Sequence, residues 1–168
     1  MPDAVARDEV LDHVGTHWRA EVLPLLVEYA GIANQSPAFD ADWESAGHME
    51  AAAQLLAGWA ASRPLRVATV DIVRRPGLTP TVVVDVPARG EDSAGTVLVY
   101  GHYDKQPPFE GWSAGRGPWA PVVEGERLYA RGVADDGYAL PSAVLALETA
   151  AATGAGHGRC IIVAEGSE

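Results

Sequence analysis

The stretch from Thr96 to Asp104, Thr-Val-Leu-Val-Tyr-Gly-His-Tyr-Asp, constrains the fold more than any other part of the chain. Val97 to Tyr100 is an unbroken apolar run that stops at Gly101. A run of this length bounded by glycine predicts a strand buried on both faces, as in a parallel sheet. In open α/β sheets ligands gather beyond the carboxyl ends of the strands, and His102 and Asp104 follow this one at once. On extended backbone their spacing puts both side chains on the same side. An imidazole that binds a metal needs an acceptor on its other nitrogen to fix its tautomer. His102 therefore reads as a ligand with Asp104 beside it, or equally as a polar strand end bonded to its own loop.

The rest of the chain supplies the layers such a strand needs. Helical spacing runs from about Ala4 to Ile32, interrupted at Gly15 and Pro24, and predicts a bent helix or two helices. A second helix is expected from about Asp40 to Ala61, stopped by Pro64. The period then changes. Arg66–Val73 and Thr81–Val86 are rich in β-branched residues and predict two strands joined by a turn at Arg-Arg-Pro-Gly. Lys105 to Val122 is rich in proline and glycine and reads as one long loop, a feature usually tied to function. A short strand is expected at Glu126–Ala130, a helix at Asp136–Ala152 with Pro141 in its first turn, and a buried strand at Arg159–Ala164. Helices alternating with buried strands predict an α/β fold, a largely parallel sheet flanked by helices.

Composition removes whole classes of function. With 168 residues, 48% of them hydrophobic, the chain can bury the core of one ordinary domain. Its formal charge is 12 − 23 = −11, and a surface so acidic repels phosphate backbones, so no nucleic-acid partner is expected. No apolar run approaches the roughly 20 residues of a membrane span, so no membrane partner is expected either. Cys160 is the only cysteine, which rules out an internal disulfide. With no basic and apolar leader visible at the start, the expected location is the cytoplasm.

Three polar clusters sit after buried strands or at a helix start: His102/Asp104, Asp135/Asp136 and Glu165/Glu168. Each places metal-ligand types at the rim of one presumed sheet, and burying unpaired carboxylates is costly without a cation. Loop contacts and helix capping by Asp135 or Asp136 would account for the same residues. Other matches are decoys. Gly111-Trp-Ser-Ala-Gly has the form of a serine-hydrolase elbow, but prolines and glycines flank it where a strand and a helix are required. Gly115-Arg-Gly-Pro-Trp-Ala lacks a preceding strand. His13 and His17, spaced i and i+4, read as solvent-facing, and Asn34-Gln-Ser as an unused glycosylation acceptor.

Four motifs in order carry a resemblance: Tyr100-Gly-His-Tyr-Asp-Lys-Gln-Pro-Pro, Gly117-Pro-Trp-Ala-Pro, Leu128-Tyr-Ala-Arg-Gly-Val-Ala-Asp-Asp-Gly and Glu165-Gly-Ser-Glu. Together they resemble the di-zinc metallopeptidase family of carnosine dipeptidase, aminoacylase and glutamate carboxypeptidase. The resemblance is strong from Val97 to Glu168 and weaker before it. It implies a metal-dependent hydrolase that cleaves a peptide or amide bond through a water shared by two divalent ions, zinc foremost, with manganese or cobalt as alternatives. Carried over residue by residue, it makes His102 the terminal ligand of one metal and Asp104 the carboxylate that orients it. Asp135 becomes the bridging carboxylate, Asp136 its neighbour across a cis peptide bond, and Glu168 the general base. The implied substrate is a small peptide or an acylated amino acid.

The same resemblance makes residues 1–168 the N-terminal portion of a zinc-exopeptidase-like catalytic domain, with further ligands and a dimerising lid domain falling later in the family's pattern. Such a piece is expected to be inactive alone, the parent protein to be a homodimer, and a non-catalytic fragment or binding module is the alternative. Gly137 departs from the pattern, since many members have lysine after Asp-Asp.

Overall fold

The computed structural model describes residues 7–65, 68–90 and 95–168. In chain order it contains α1 (Arg7–His17), a wide turn (Trp18–Val22), α2 (Leu23–Ala30), α3 (Trp43–Ala46) and α4 (His48–Ala61). Strands β1 (Thr69–Val73), β2 (Thr81–Val86), β3 (Thr96–His102), β4 (Val122–Glu124) and β5 (Arg127–Tyr129) follow. A second wide turn (Val133–Gly137), α5 (Ala139–Ala152) and β6 (Arg159–Glu165) complete it.

The first helical region divides ahead of Pro24 rather than at Gly15, which α1 passes through. Pro24 has no N–H to donate and therefore sits in the first turn of α2, where none is needed. The helix expected from Asp40 to Ala61 is also two, parted by Gly47 at φ 73°. Pro141 lies in the first turn of α5, as its chemistry requires. The strand expected from Arg66 is described from Thr69; Arg66 and Val67 lie outside the described residues. The single short strand expected at Glu126–Ala130 is one arm of a hairpin, β4 paired with β5.

The α/β class and the helix-flanked sheet hold, but the sheet is mixed rather than largely parallel. Its order is β1-β2-β6-β3; β1–β2 and β2–β6 are antiparallel, and only β3–β6 is parallel. The connection through Arg74–Pro80 is too short for a crossover, so β2 must return antiparallel to β1. Between β3 and β6 the chain has room for α5, and a parallel pairing follows.

Packing explains which side of the sheet is the core. Register sets Val82 beside Ala164, Val84 beside Ile162 and Val86 beside Cys160, and all six are buried. Leu25 and Tyr29 of α2, Ala52, Ala53 and Leu56 of α4, and Leu140, Val144 and Leu147 of α5 close over them. Each large aliphatic side chain removed from water here contributes about 1.5–3 kcal/mol. The alanines let α4 approach the strands closely. β3 corrects the sequence reading: it is not buried on both faces, since Leu98 is 66% and Tyr100 56% exposed. Among the described residues it is an edge strand, paired with β6 alone. Among the described residues no helix is long and apolar enough to cross a membrane.

Candidate metal centre

β3 and β6 run side by side and end together, with His102 level with Glu165. The turn Val133–Gly137 lies across the end of β3, where Gly101 leaves it room. A β-carbon at 101 would stand 2.5 Å from Ala139 Cβ and 2.9 Å from Asp136 Oδ2. Asp135 (φ −149°, ψ 85°) and Asp136 (φ −126°, ψ 28°) depart from helical angles within the turn, and the peptide bond joining them is cis. Neither caps a helix with its side chain. The Asp136 carboxylate instead accepts the His102 backbone N–H at 3.4 Å.

His102 is almost fully buried and aims its two ring nitrogens at different partners. Nδ1 lies 3.1 Å from Asp104 Oδ1, and Asp104 is itself 1% exposed. A proton on Nδ1 held by that carboxylate leaves the Nε2 lone pair facing outward. Nε2 stands 3.4 Å from Asp135 Oδ1 and 3.4 Å from Glu168 Oε2. One donor atom from each of His102, Asp135 and Glu168 lies within 4.8 Å of the other two. Asp135 and Glu168 are about half exposed. Burial pulls the imidazole pKa of His102 down, but the charges of Asp104 and Glu168 more than offset this and the net shift is upward. A site that draws a proton onto its imidazole in this way is electrostatically ready for a cation. One neutral nitrogen and two carboxylate oxygens are a donor set suited to zinc, manganese or cobalt, so the residues fit the metal that the sequence pattern implies.

Three of the sequence-predicted residues thus come together and the fourth, Asp104, stands behind them. The remaining clusters divide. Glu165 turns away and accepts a hydrogen bond from Tyr100, which pushes the tyrosine pKa up to about 12. Ser113 lies in a turn, where its carbonyl accepts the Arg116 N–H. His13 and His17 are half-buried rather than solvent-facing, with ring centroids 4.2 Å apart, and His17 Nδ1 sits 3.1 Å from Glu21. Cys160 is a buried thiol in the sheet.

The sequence reading overlooked the supports of the site. Asn34, read only as a glycosylation acceptor, is 1% exposed and donates its side-chain N–H to the Tyr103 carbonyl at 2.5 Å. Tyr29 donates its hydroxyl to the same oxygen at 2.6 Å, and Lys105 lies fully buried beside it. Arg131 approaches Asp135 Oδ2 at 3.8 Å. Gly137 also finds its explanation, because a β-carbon there would collide with the Tyr29 ring. The one available signal was position: Tyr103 and Lys105 flank Asp104 in sequence.

Comparison with known proteins agrees with this geometry. The fold matches the dipeptidase Dug1p of Saccharomyces cerevisiae with a TM-score of 0.73 and 21% identity, over 94% of this chain and 34% of that one. It matches human carnosine dipeptidase 1 with a TM-score of 0.66 and 22% identity, over 95% and 34% of the two chains. The M20 family metallo-carboxypeptidase Sso-CP2 of Sulfolobus solfataricus gives 0.61 and 22%, over 88% and 30%. The chain therefore spans about a third of the length of these solved relatives. A succinyl-diaminopimelate desuccinylase of Gluconobacter oxydans (strain 621H) is 57% identical over 35 residues, 21% of this chain and 9% of that protein. Residues 98–168, the stretch that carries His102, Asp104, Asp135 and Glu168, match the model of peptidase family M20/M25/M40. Over that stretch, 71 of its 168 residues, the chain resembles that family of peptidases.

Proposed function

We propose that the whole protein is a metal-dependent hydrolase of the dipeptidase or exopeptidase type, cleaving a peptide or related amide bond in a small substrate. The observation that carries this reading is the convergence of His102, Asp135 and Glu168 within 4.8 Å. Two divalent ions, zinc foremost, would supply Lewis-acid polarisation of the scissile carbonyl and acidify a water. His102 would hold metal through Nε2, and Asp104 keeps the Nδ1 proton in place and the ring fixed. Asp135, half exposed at the rim, would hold metal through its carboxylate. Glu168 takes a proton from the water and passes it to the leaving amine, the task of a carboxylate general base. The 35-residue match to a desuccinylase supports N-acyl amino acids as the second substrate class. Residues 1–168 form the N-terminal portion of the catalytic domain, inactive alone, in a cytoplasmic homodimer.

The test is metal depletion of the full-length protein, reconstitution with zinc, manganese or cobalt, and turnover on dipeptides and N-acyl amino acids. His102→Ala and Asp135→Ala should abolish hydrolysis and lower bound metal. Unchanged turnover in either variant overturns the reading.

A further inference from the structure

Lys105 is the only lysine in the chain, and it is completely buried. Buried cations ordinarily face a carboxylate. Among the described residues none lies within ion-pair distance of this one. Its amine instead donates to the carbonyls of Tyr29 at 2.8 Å and Ile32 at 2.6 Å, with the Ala30 carbonyl at 3.5 Å. These oxygens close the C-terminal end of α2, where the helix dipole is negative and the last carbonyls lack helical partners. The rings of Tyr29 and Trp119 flank the nitrogen at 4.1 Å and 5.2 Å.

The stem and backbone of Lys105 reach two further elements. The stem crosses Gly132, where a β-carbon would run into its Cγ and stand 2.7 Å from its Cδ. Gly132, at φ 80°, opens the turn that carries Asp135. The Lys105 backbone N–H donates to the Asn34 carbonyl at 3.0 Å, and its carbonyl accepts the Ser36 N–H at 2.8 Å. One residue, itself next to Asp104 in the chain, therefore touches the end of α2, the segment after it and the entrance to the Asp135 turn.

We propose that Lys105 is a positioning residue for the candidate metal centre, a buried strut that sets the spacing between the His102–Asp104 arm and the Asp135 turn. This rests on the metallohydrolase reading above. Metal affinity depends on ligand placement to within about 0.5 Å, and an apolar side chain at 105 removes the donor to the Ile32 carbonyl and leaves the Tyr29 carbonyl only its backbone donors. A lysine that merely supported the core would change the melting temperature and leave metal affinity alone. Coupling between two sites is reciprocal, so metal binding must in turn steady Lys105.

The experiment uses the full-length protein. Zinc affinity is measured by competition with a chromophoric chelator for wild type and Lys105→Met. Acetylation of Lys105 by an amine-reactive ester is followed by peptide mass spectrometry in wild type, with and without zinc. Lys105→Met should bind zinc about tenfold or more weakly, with kcat reduced and KM within about threefold of wild type. Zinc should slow wild-type Lys105 acetylation about fivefold or more. A variant affinity within about twofold of wild type, or an acetylation rate indifferent to zinc, overturns the proposal. If Lys105→Met fails to fold, Lys105→Gln, which keeps a donor for one carbonyl, is held to the same criteria, and the wild-type acetylation result decides without either variant. Wild type that takes up no zinc, manganese or cobalt overturns the metal reading and the strut together; wild type that binds metal with Lys105 uncoupled overturns the strut alone.

Discussion

The backbone N–H of Glu168 lies 3.3 Å from each carboxylate oxygen of Asp104. The same carboxylate holds His102 Nδ1, so Asp104 joins the end of β3 to the segment following β6. The carboxylate accepts from both, in a place where water has little access.

Asp104→Asn keeps the shape of the side chain and removes its charge. The amide keeps one neutral acceptor oxygen for His102 Nδ1 and turns an N–H toward the Glu168 backbone N–H, where the second carboxylate oxygen had accepted. Metal affinity of the full-length protein should fall about 10–100-fold, read by competition against a chelator of known affinity. Retained wild-type affinity would mean that Asp104 does not orient His102.

Glu168→Gln separates the two roles its position allows, because its carboxylate sits in the ligand cluster while it is assigned proton transfer. As general base it should lose about 10²–10⁴-fold in kcat with metal content unchanged. Metal analysis of the purified variant decides the matter, and loss of a metal equivalent would make Glu168 a ligand instead.

Gly101→Ala forces a methyl group against Ala139 and the Asp136 carboxylate. Overpacking of this kind costs about 1–3 kcal/mol. The displaced Asp136 also loses its contact with the His102 backbone. The urea midpoint and the metal affinity should drop together; a variant with both unchanged would show that the turn has room to move.

Burial pulls the Lys105 amine from 10.5 down to about 7. Between those values the unfolded chain binds the proton and the folded chain does not, so stability rises with pH across that window. For one group the slope is about 1.4 kcal/mol per pH unit, and below pH 7, where both states carry the proton, the contribution is flat. Burial pushes the Cys160 thiol up, a contribution that cancels when wild type is compared with Lys105→Met. Denaturant melts of both proteins at about pH 6, 8 and 9.5 should show the slope in wild type alone.

The local sequence determined the elements and much of the candidate site. Period and punctuation were sufficient for β2, β3, β6 and α5, since alternating or continuous apolar residues and the placement of Pro141 are local facts. Motif order likewise marked His102, Asp104, Asp135 and Glu168 before any geometry was known. The short Arg74–Pro80 connection already implied one antiparallel pair, but the antiparallel alignment of β2 with β6 was decided by tertiary structure. The exposure of Leu98 and Tyr100 was equally out of reach, because an apolar strand reads the same whether one face or both are covered. The supports of the centre lay furthest from view. Lys105 meets the carbonyls of Tyr29 and Ile32 across more than seventy positions of chain, and Asn34 reaches Tyr103 across nearly as many. Backbone carbonyls carry no sequence signature, so a residue whose partners are all main-chain atoms shows its role only once the chain has folded around it.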